Sequence, residues 1–432
     1  MSVASRLLSL AVKEGEKLLV GDAEKVAAKK APAVIVARSG TPKAVAQDVL
    51  QEAARPSKSR ATFAVWRAAN PGNGRVFDMS RLHEVPKVPQ TQMARRVPPR
   101  GPSPRITDAL ASRKVAKQIK STVERGIEGG GLTWYNTEPM RQRMAALGGD
   151  DAKYGRLMDI VAATSPRARV PDNVRTASYF NYLRENGLDI PDKPAGGYGS
   201  VAQDLHVGNV RGLDERGGWD IYRNPKPASF STNLQGNQNN VTIDTHNFRL
   251  PGIVSQDPRF LETSINAGQR SGADEARAAL SARYPQLPDE ALDLAVSKIP
   301  QGKTGFTVYR PREWVDKGYM SPDDAAQDPV LWASKPNDNE YGYYENWQQK
   351  QAKKMGVSPA QYQAAMWLGG GEDTGLGSAA EPFLATFESR IRYTADALGM
   401  DPDKVADMVL RGEIPMLAKG GRVSRLAVRP RP

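Results

Sequence analysis

The chain has 432 residues, enough for two or three domains, and 39% of them are apolar, below the globular average, so part of it is expected to lie outside a core. It has no cysteine and only three histidines, which excludes disulfides and thiolate metal sites and argues against a transition-metal centre; neither metal nor cofactor is expected. The net charge is +12, and all of the excess sits in residues 1–130, where 24 Lys and Arg face 11 Asp and Glu, against 36 and 37 in the remainder.

That asymmetry predicts a basic N-terminal arm over 1–130 that tethers nucleic acid electrostatically, or serves as a solvated tail. Met1 to Lys30 has the spacing of one or two amphipathic helices. From Pro32 to Pro104 the chain is broken by prolines and reads as an extended linker, with Phe63, Val65 and Trp66 as a docking element. No run is long and apolar enough to span a bilayer, and Met1 to Val20 is interrupted by Lys13, Glu14, Glu16 and Lys17, so neither a membrane partner nor a secretory signal is expected.

A mainly α-helical domain is expected over 131–412, followed by a basic flexible tail over 413–432. Ile106 to Ile127 reads as one helix, basic on one side and ended by Gly129-Gly130-Gly131. Met140 to Leu147 and Tyr154 to Ala163 follow, the second ended by Thr164-Ser165-Pro166. Asp172 or Asn173 caps a helix over Val174 to Asn186. Leu188 to Gly199 is a loop, Val201 to Val210 a short helix and Arg211 to Gly218 a turn. Beyond the central stretch, helices are predicted at Asp274 to Tyr284, Pro288 to Val296, Tyr341 to Met355, Ala360 to Leu368, Pro382 to Leu398 and Pro402 to Leu410. Gly305 to Tyr309 is the one good strand candidate.

The central stretch runs from Lys226 to Arg249. A helix with Ala228, Phe230 and Leu234 turned inward stops at Gly236, and Asn237 to Asn240 make a polar turn. Val241-Thr242-Ile243 is a short apolar link, after which Asp244 and Thr245 open a second helix. Leu250-Pro251-Gly252-Ile253 reads as a loop.

The run Ile243-Asp244-Thr245-His246-Asn247-Phe248-Arg249 resembles the V-D-T-H-x-F-R signature of the helix-hairpin-helix DNA glycosylases, the endonuclease III-like superfamily. Lys226 precedes Asp244 by eighteen residues, the separation found in its lyase-competent members. The Ser165-Pro166 to Asn173 run, Asn233-Leu234 and the Gln361 to Trp367 run are similar to glycosylase-fold proteins of tailed phages, and the Lys419-Gly420-Gly421 tail to phage structural proteins. Roughly Trp134 to Leu410 is covered, with diagnostic motifs in the middle only. One departure stands out: Trp219 to Pro225 replaces the glycine-rich hairpin that presents backbone N–H groups to a phosphate.

The resemblance implies a helical glycosylase-like domain acting on DNA. Asp244 would be the carboxylate beside the anomeric carbon, and Lys226 an amine that forms a Schiff base. Arg167, Arg169, Arg223, Asn233, His246 and Arg249 would contact DNA. From the residues alone, Asp244 is equally a plain helix cap, Lys226 a solvated side chain, and the Tyr341 to Trp347 aromatics core rather than a stacking platform. An alternative is a phage virion or ejected protein that kept the fold, lost catalysis, and binds DNA or capsid through its arm. The expected location is the cytoplasm of an infected bacterium or the virion.

Overall fold

Helix ends in this chain are written in short polar side chains, prolines and glycines, and the fold follows them. The computed structural model describes residues 76–79, 101, 103–194, 198, 203–270, 273–296, 305–333, 335–375 and 381–417. The expected helices within 1–30, the linker over 32–104 apart from residues 76–79, 101, 103 and 104, the Phe63 to Trp66 element and the tail from 418 lie outside the described residues.

The single helix expected over 106–127 is two, α1 (Pro104–Ala111) and α2 (Arg113–Glu128). Ser112 between them adopts an extended conformation, and its side chain accepts from the Val115 N–H, so it caps a new helix instead of continuing the old one. Ile106, Leu110, Val115, Ile119 and Val123 are buried. This part of the expected arm therefore belongs to the helical body, and the basic residues Arg113, Lys114, Lys117 and Lys120 form its exposed face. Farther upstream, Phe77 is buried against Phe387, and the Val76 N–H donates to Glu388.

Next come α3 (Glu138–Ala146), α4 (Asp151–Thr164) and α5 (Val170–Glu185). Helix α5 starts four residues before the expected Val174: Arg169 occupies the cap position without a side-chain bond, because Pro171 presets the first turn. Neither Asp172 nor Asn173 caps it. Helix α6 (Gln203–Arg216) runs through the stretch expected to turn after Val210 and ends only at Gly217 and Gly218, both at positive φ. Helix α7 (Pro225–Leu234) and helix α8 (Thr245–Ser255) flank the central link.

Helix α8 absorbs Leu250 to Ile253, expected as a loop. Pro251 has no N–H for the Asn247 carbonyl one turn back; the Tyr344 hydroxyl donates to that carbonyl instead, at 3.1 Å. Gly252 is needed there, since a Cβ would stand 2.7 Å from Phe260.

The remaining elements are strand β1 (Ile265–Arg270), α9 (Ala273–Arg283), α10 (Asp289–Val296), strand β2 (Gly305–Tyr309), α11 (Pro311–Asp316), α12 (Pro322–Ala326), α13 (Asp338–Met355), α14 (Pro359–Gly369), α15 (Phe383–Leu398) and α16 (Pro402–Leu410). The expected strand is β2, and it pairs antiparallel with β1, which was not expected. Capping boxes at Asn337/Glu340 and Ser358/Gln361 start α13 and α14. Among the described residues no helix is long and apolar enough to cross a membrane.

Apolar side chains gather in two clusters. One is centred on α4, α5, α7, α15 and α16, the other on α1, α2, α8 and α13. Helix α14 serves both: Ala360 and Ala364 belong to the first, Tyr362, Ala365 and Met366 to the second. Its crossing with α2 depends on small residues. A Cβ on Gly126 would lie 1.7 Å from the Ala365 carbonyl oxygen, and one on Gly369 would lie 1.9 Å from that of Thr122.

The first residues of the flexible tail expected over 413–432 belong to the packed body. Ile414, Met416 and Leu417 are buried, because Ser178 and Thr394 accept from the N–H groups of Met416 and Leu417, and the Tyr198 hydroxyl donates to the Met416 carbonyl.

Candidate functional site

The link over 235–244 leaves α7 in one apolar cluster and enters α8 in the other, and side-chain bonds hold it. The buried Asn233 amide donates to the Asn240 carbonyl and to Thr242 Oγ1, both at 3.2 Å. The Tyr341 hydroxyl donates to the Val241 carbonyl at 3.0 Å and accepts from the Ile243 N–H at 3.2 Å. The link thus leads to Asp244 with little freedom. Asp244 Oδ1 accepts from the Asn247 N–H at 2.8 Å and caps α8.

Beside this link lies a cleft of about 410 Å³. Lys226 from the first turn of α7 and Asp244, Thr245, His246 and Arg249 from the start of α8 line it. Arg167 and Arg169 from the loop before α5 complete its charged rim, and Trp134, Tyr135, Phe230 and Trp367 form its aromatic wall. Six of the eight residues picked out from sequence therefore share one cleft.

The other two do not. Arg223 is exposed and pairs with Asp220 on the turn before α7. Asn233 is fully buried and works as the brace of the link. The turn at 219–224 also closes on itself: the Asp220 carboxylate accepts from the Tyr222 and Arg223 N–H groups, which a glycine-rich hairpin would offer to a phosphate.

The rim is positive. Arg167, Arg169, Lys226 and Arg249 line the cleft, and Asp244 is its single carboxylate. Behind the rim, Asp172 takes Arg169 at 2.9 Å and two buried arginines, Arg175 and Arg390, each at 3.5 Å. Burial lowers both buried guanidiniums, Arg390 to about 10. Burial likewise lowers Arg249, with Glu262, Asp328 and Asp244 acting the other way.

The loop carrying Arg167 is constrained. Arg167 sits at φ 58°, a left-handed conformation that costs a side-chain-bearing residue on the order of 1 kcal/mol. Ser165 Oγ donates to the Ala162 carbonyl, Ser165 accepts on its carbonyl from the Ala168 N–H, and His206 Nε2 donates to the Pro166 carbonyl at 2.7 Å. Burial keeps His206 below the ordinary histidine range, with its bond to Pro166 acting the other way.

In the wall, the Trp134 ring meets Tyr135 and Trp367 edge-on at 4.7 and 5.3 Å. The Tyr135 hydroxyl donates to Gln363 at 2.7 Å, and burial raises its pKa. The indole N–H groups of Trp134 and Trp367 are buried without an acceptor. The wall residues carry no motif beyond the Gln361 to Trp367 run, and only the fold brings Trp134 to them. The Tyr341 to Trp347 aromatics do not face the cleft; Tyr341 and Tyr344 are core residues whose hydroxyls brace the link and α8.

No protein-family model, no curated protein and no solved structure matches this chain. Among the described residues no group of three or more acidic or histidine side chains is placed to hold a metal ion.

Proposed function

We propose that this cleft binds a nucleic acid and cleaves the N-glycosidic bond of a nucleotide drawn into it. The observation that carries this is the convergence of Lys226 and Asp244, from different helices, on one cleft whose other charged groups are arginines. An arginine rim suits phosphates, and an aromatic wall suits the flat face of an extrahelical base.

In the proposed reaction Asp244 stabilises the positive charge that develops on the sugar as the base departs. Its position is preset, because Oδ1 is fixed by the cap bond and the link is clamped from both sides. The Lys226 amine attacks the anomeric carbon through Nζ and forms a Schiff base once the sugar ring opens. The strained Arg167 and its neighbour Arg169 hold the phosphates flanking the extruded nucleotide.

The closed turn at 219–224 favours a second role for the same cleft: a nucleic-acid-binding virion or ejected protein without catalysis, since the Tyr222 and Arg223 N–H groups are already spent on Asp220. Duplex and single-stranded oligonucleotides carrying one altered base, followed by alkali, separate the two. Base excision predicts strand breaks that wild type makes and Asp244→Asn does not. Salt-sensitive binding without breaks from any substrate overturns catalysis and leaves the binding role.

A further inference from the structure

His246 holds a chemical asymmetry that the roles above do not use. It lies in the first turn of α8, two residues after Asp244, and lines the same cleft. Its Nδ1 is 3.0 Å from the Thr374 carbonyl oxygen. A carbonyl oxygen only accepts, so Nδ1 carries the hydrogen, and in the neutral ring Nε2 is left with an unshared electron pair. Among the described residues Nε2 has no hydrogen-bond partner. Arg249 also donates to the Thr374 carbonyl, at 3.4 Å, which fixes the carbonyl that orients the ring.

Resting on the base-excision role proposed for the cleft, we propose that His246 is the proton acceptor of the reaction, dividing the work with Asp244. Asp244 already spends Oδ1 on the cap and acts through its charge, whereas His246 offers a free lone pair. As the nucleophile, the Lys226 amine or a water molecule, bonds to the anomeric carbon, the C–N bond breaks and its electron pair leaves with the base. The nucleophile's proton passes to Nε2, and the imidazolium then gives that proton to the departing base nitrogen. The charged groups that share the cleft with this imidazole are Arg167, Arg169, Lys226, Asp244 and Arg249.

Two measurements test this. The first needs no activity. With three histidines in the chain, ¹⁵N-imidazole spectra of wild type and His246→Gln assign the ring of His246. In the neutral ring, a protonated Nδ1 with a bare Nε2 supports the proposal; a protonated Nε2 with a bare Nδ1 overturns it. The second is single-turnover excision on duplexes carrying one deoxyuridine, hypoxanthine, 8-oxoguanine or 3-methyladenine. His246→Gln keeps an N–H for the Thr374 carbonyl but has no basic nitrogen, so excision should fall by about 10²-fold or more. His246→Ala should regain part of its rate with added imidazole. Excision that requires Asp244 yet proceeds at the wild-type rate in His246→Gln overturns this role and leaves the base-excision role standing. No excision of any of the four bases by wild type overturns both.

Discussion

Asp244 is asked to do two jobs, and substitution separates them. As a cap its Oδ1 takes the Asn247 N–H at 2.8 Å. Asp244→Ala removes that acceptor and should cost about 1 kcal/mol. For a folded body of about 300 residues, with unfolding entropy near 2 cal/mol/K per residue, this lowers Tm by about 2 °C. Asp244→Asn keeps a side-chain oxygen at the cap and should cost only a few tenths of a kcal/mol, below about 1 °C. Removing the charge is another matter: losing one preorganised electrostatic partner of a transition state slows a reaction by about 10²- to 10³-fold. Thermal melts and single-turnover excision on both variants measure the two effects. The expected pattern is a small Tm loss for Ala, almost none for Asn, and excision slowed by about 10²- to 10³-fold in both. If Asn retains wild-type excision, Asp244 is a cap and nothing more. If Ala melts with wild type, the cap bond carries no stability and α8 does not depend on Asp244 for its start.

Other consequences follow from the same geometry. Gly126→Ala places a Cβ against the Ala365 carbonyl at the α2–α14 crossing, so it should destabilise by about 3 kcal/mol or more in a denaturant titration; an unchanged midpoint would mean the helices do not cross this closely. The double change Arg167→Ala with Arg169→Ala should weaken DNA binding and flatten the dependence of log K on log salt by about one unit per lost phosphate contact, read by fluorescence anisotropy; an unchanged slope would remove both arginines from the interface. Because burial holds His206 below its unfolded value, the folded chain takes up that proton less readily than the unfolded one. Its contribution to stability is therefore complete above about pH 6.5 and is lost as pH falls through that value towards the lowered folded one, at up to about 1.4 kcal/mol per pH unit. His206→Gln should flatten this part of the stability–pH curve, and an equal slope in the variant would show that His206 is not its source.

Much of the helical body was legible because its helices announce both period and ends. The Asp244 cap, the stop after Leu234 and the α16 boundaries followed from short polar side chains, glycine and proline. The misplacements have local causes. Pro251 looked like a helix breaker, and only Tyr344, nearly a hundred residues away, supplies the donor that its helix lacks. Ser112 looked like an ordinary helical residue until its extended backbone made it a cap. Strand β1 has neither alternation nor β-branched richness beyond its first residue, and it pairs with β2 across two intervening helices. The resemblance paired Lys226 with Asp244, and the two line one cleft. The aromatic wall of that cleft was not legible, because Trp134, Phe230 and Trp367 are far apart in the chain and meet only through packing. Asn233 kept its place beside the site but has a different task, since a buried amide bonded to the link has no hydrogens left for a phosphate.

Borohydride trapping tests directly whether Lys226 and Asp244 act together on a sugar. Wild type, Lys226→Ala and Asp244→Asn would be incubated with duplexes carrying damaged bases or an abasic site, in the presence of borohydride. A covalent protein–DNA adduct is expected with wild type, none with Lys226→Ala, and a strongly reduced yield from base-bearing duplexes with Asp244→Asn. An adduct that persists in Lys226→Ala, or neither adduct nor alkali-labile strand break from any duplex, would contradict that joint action.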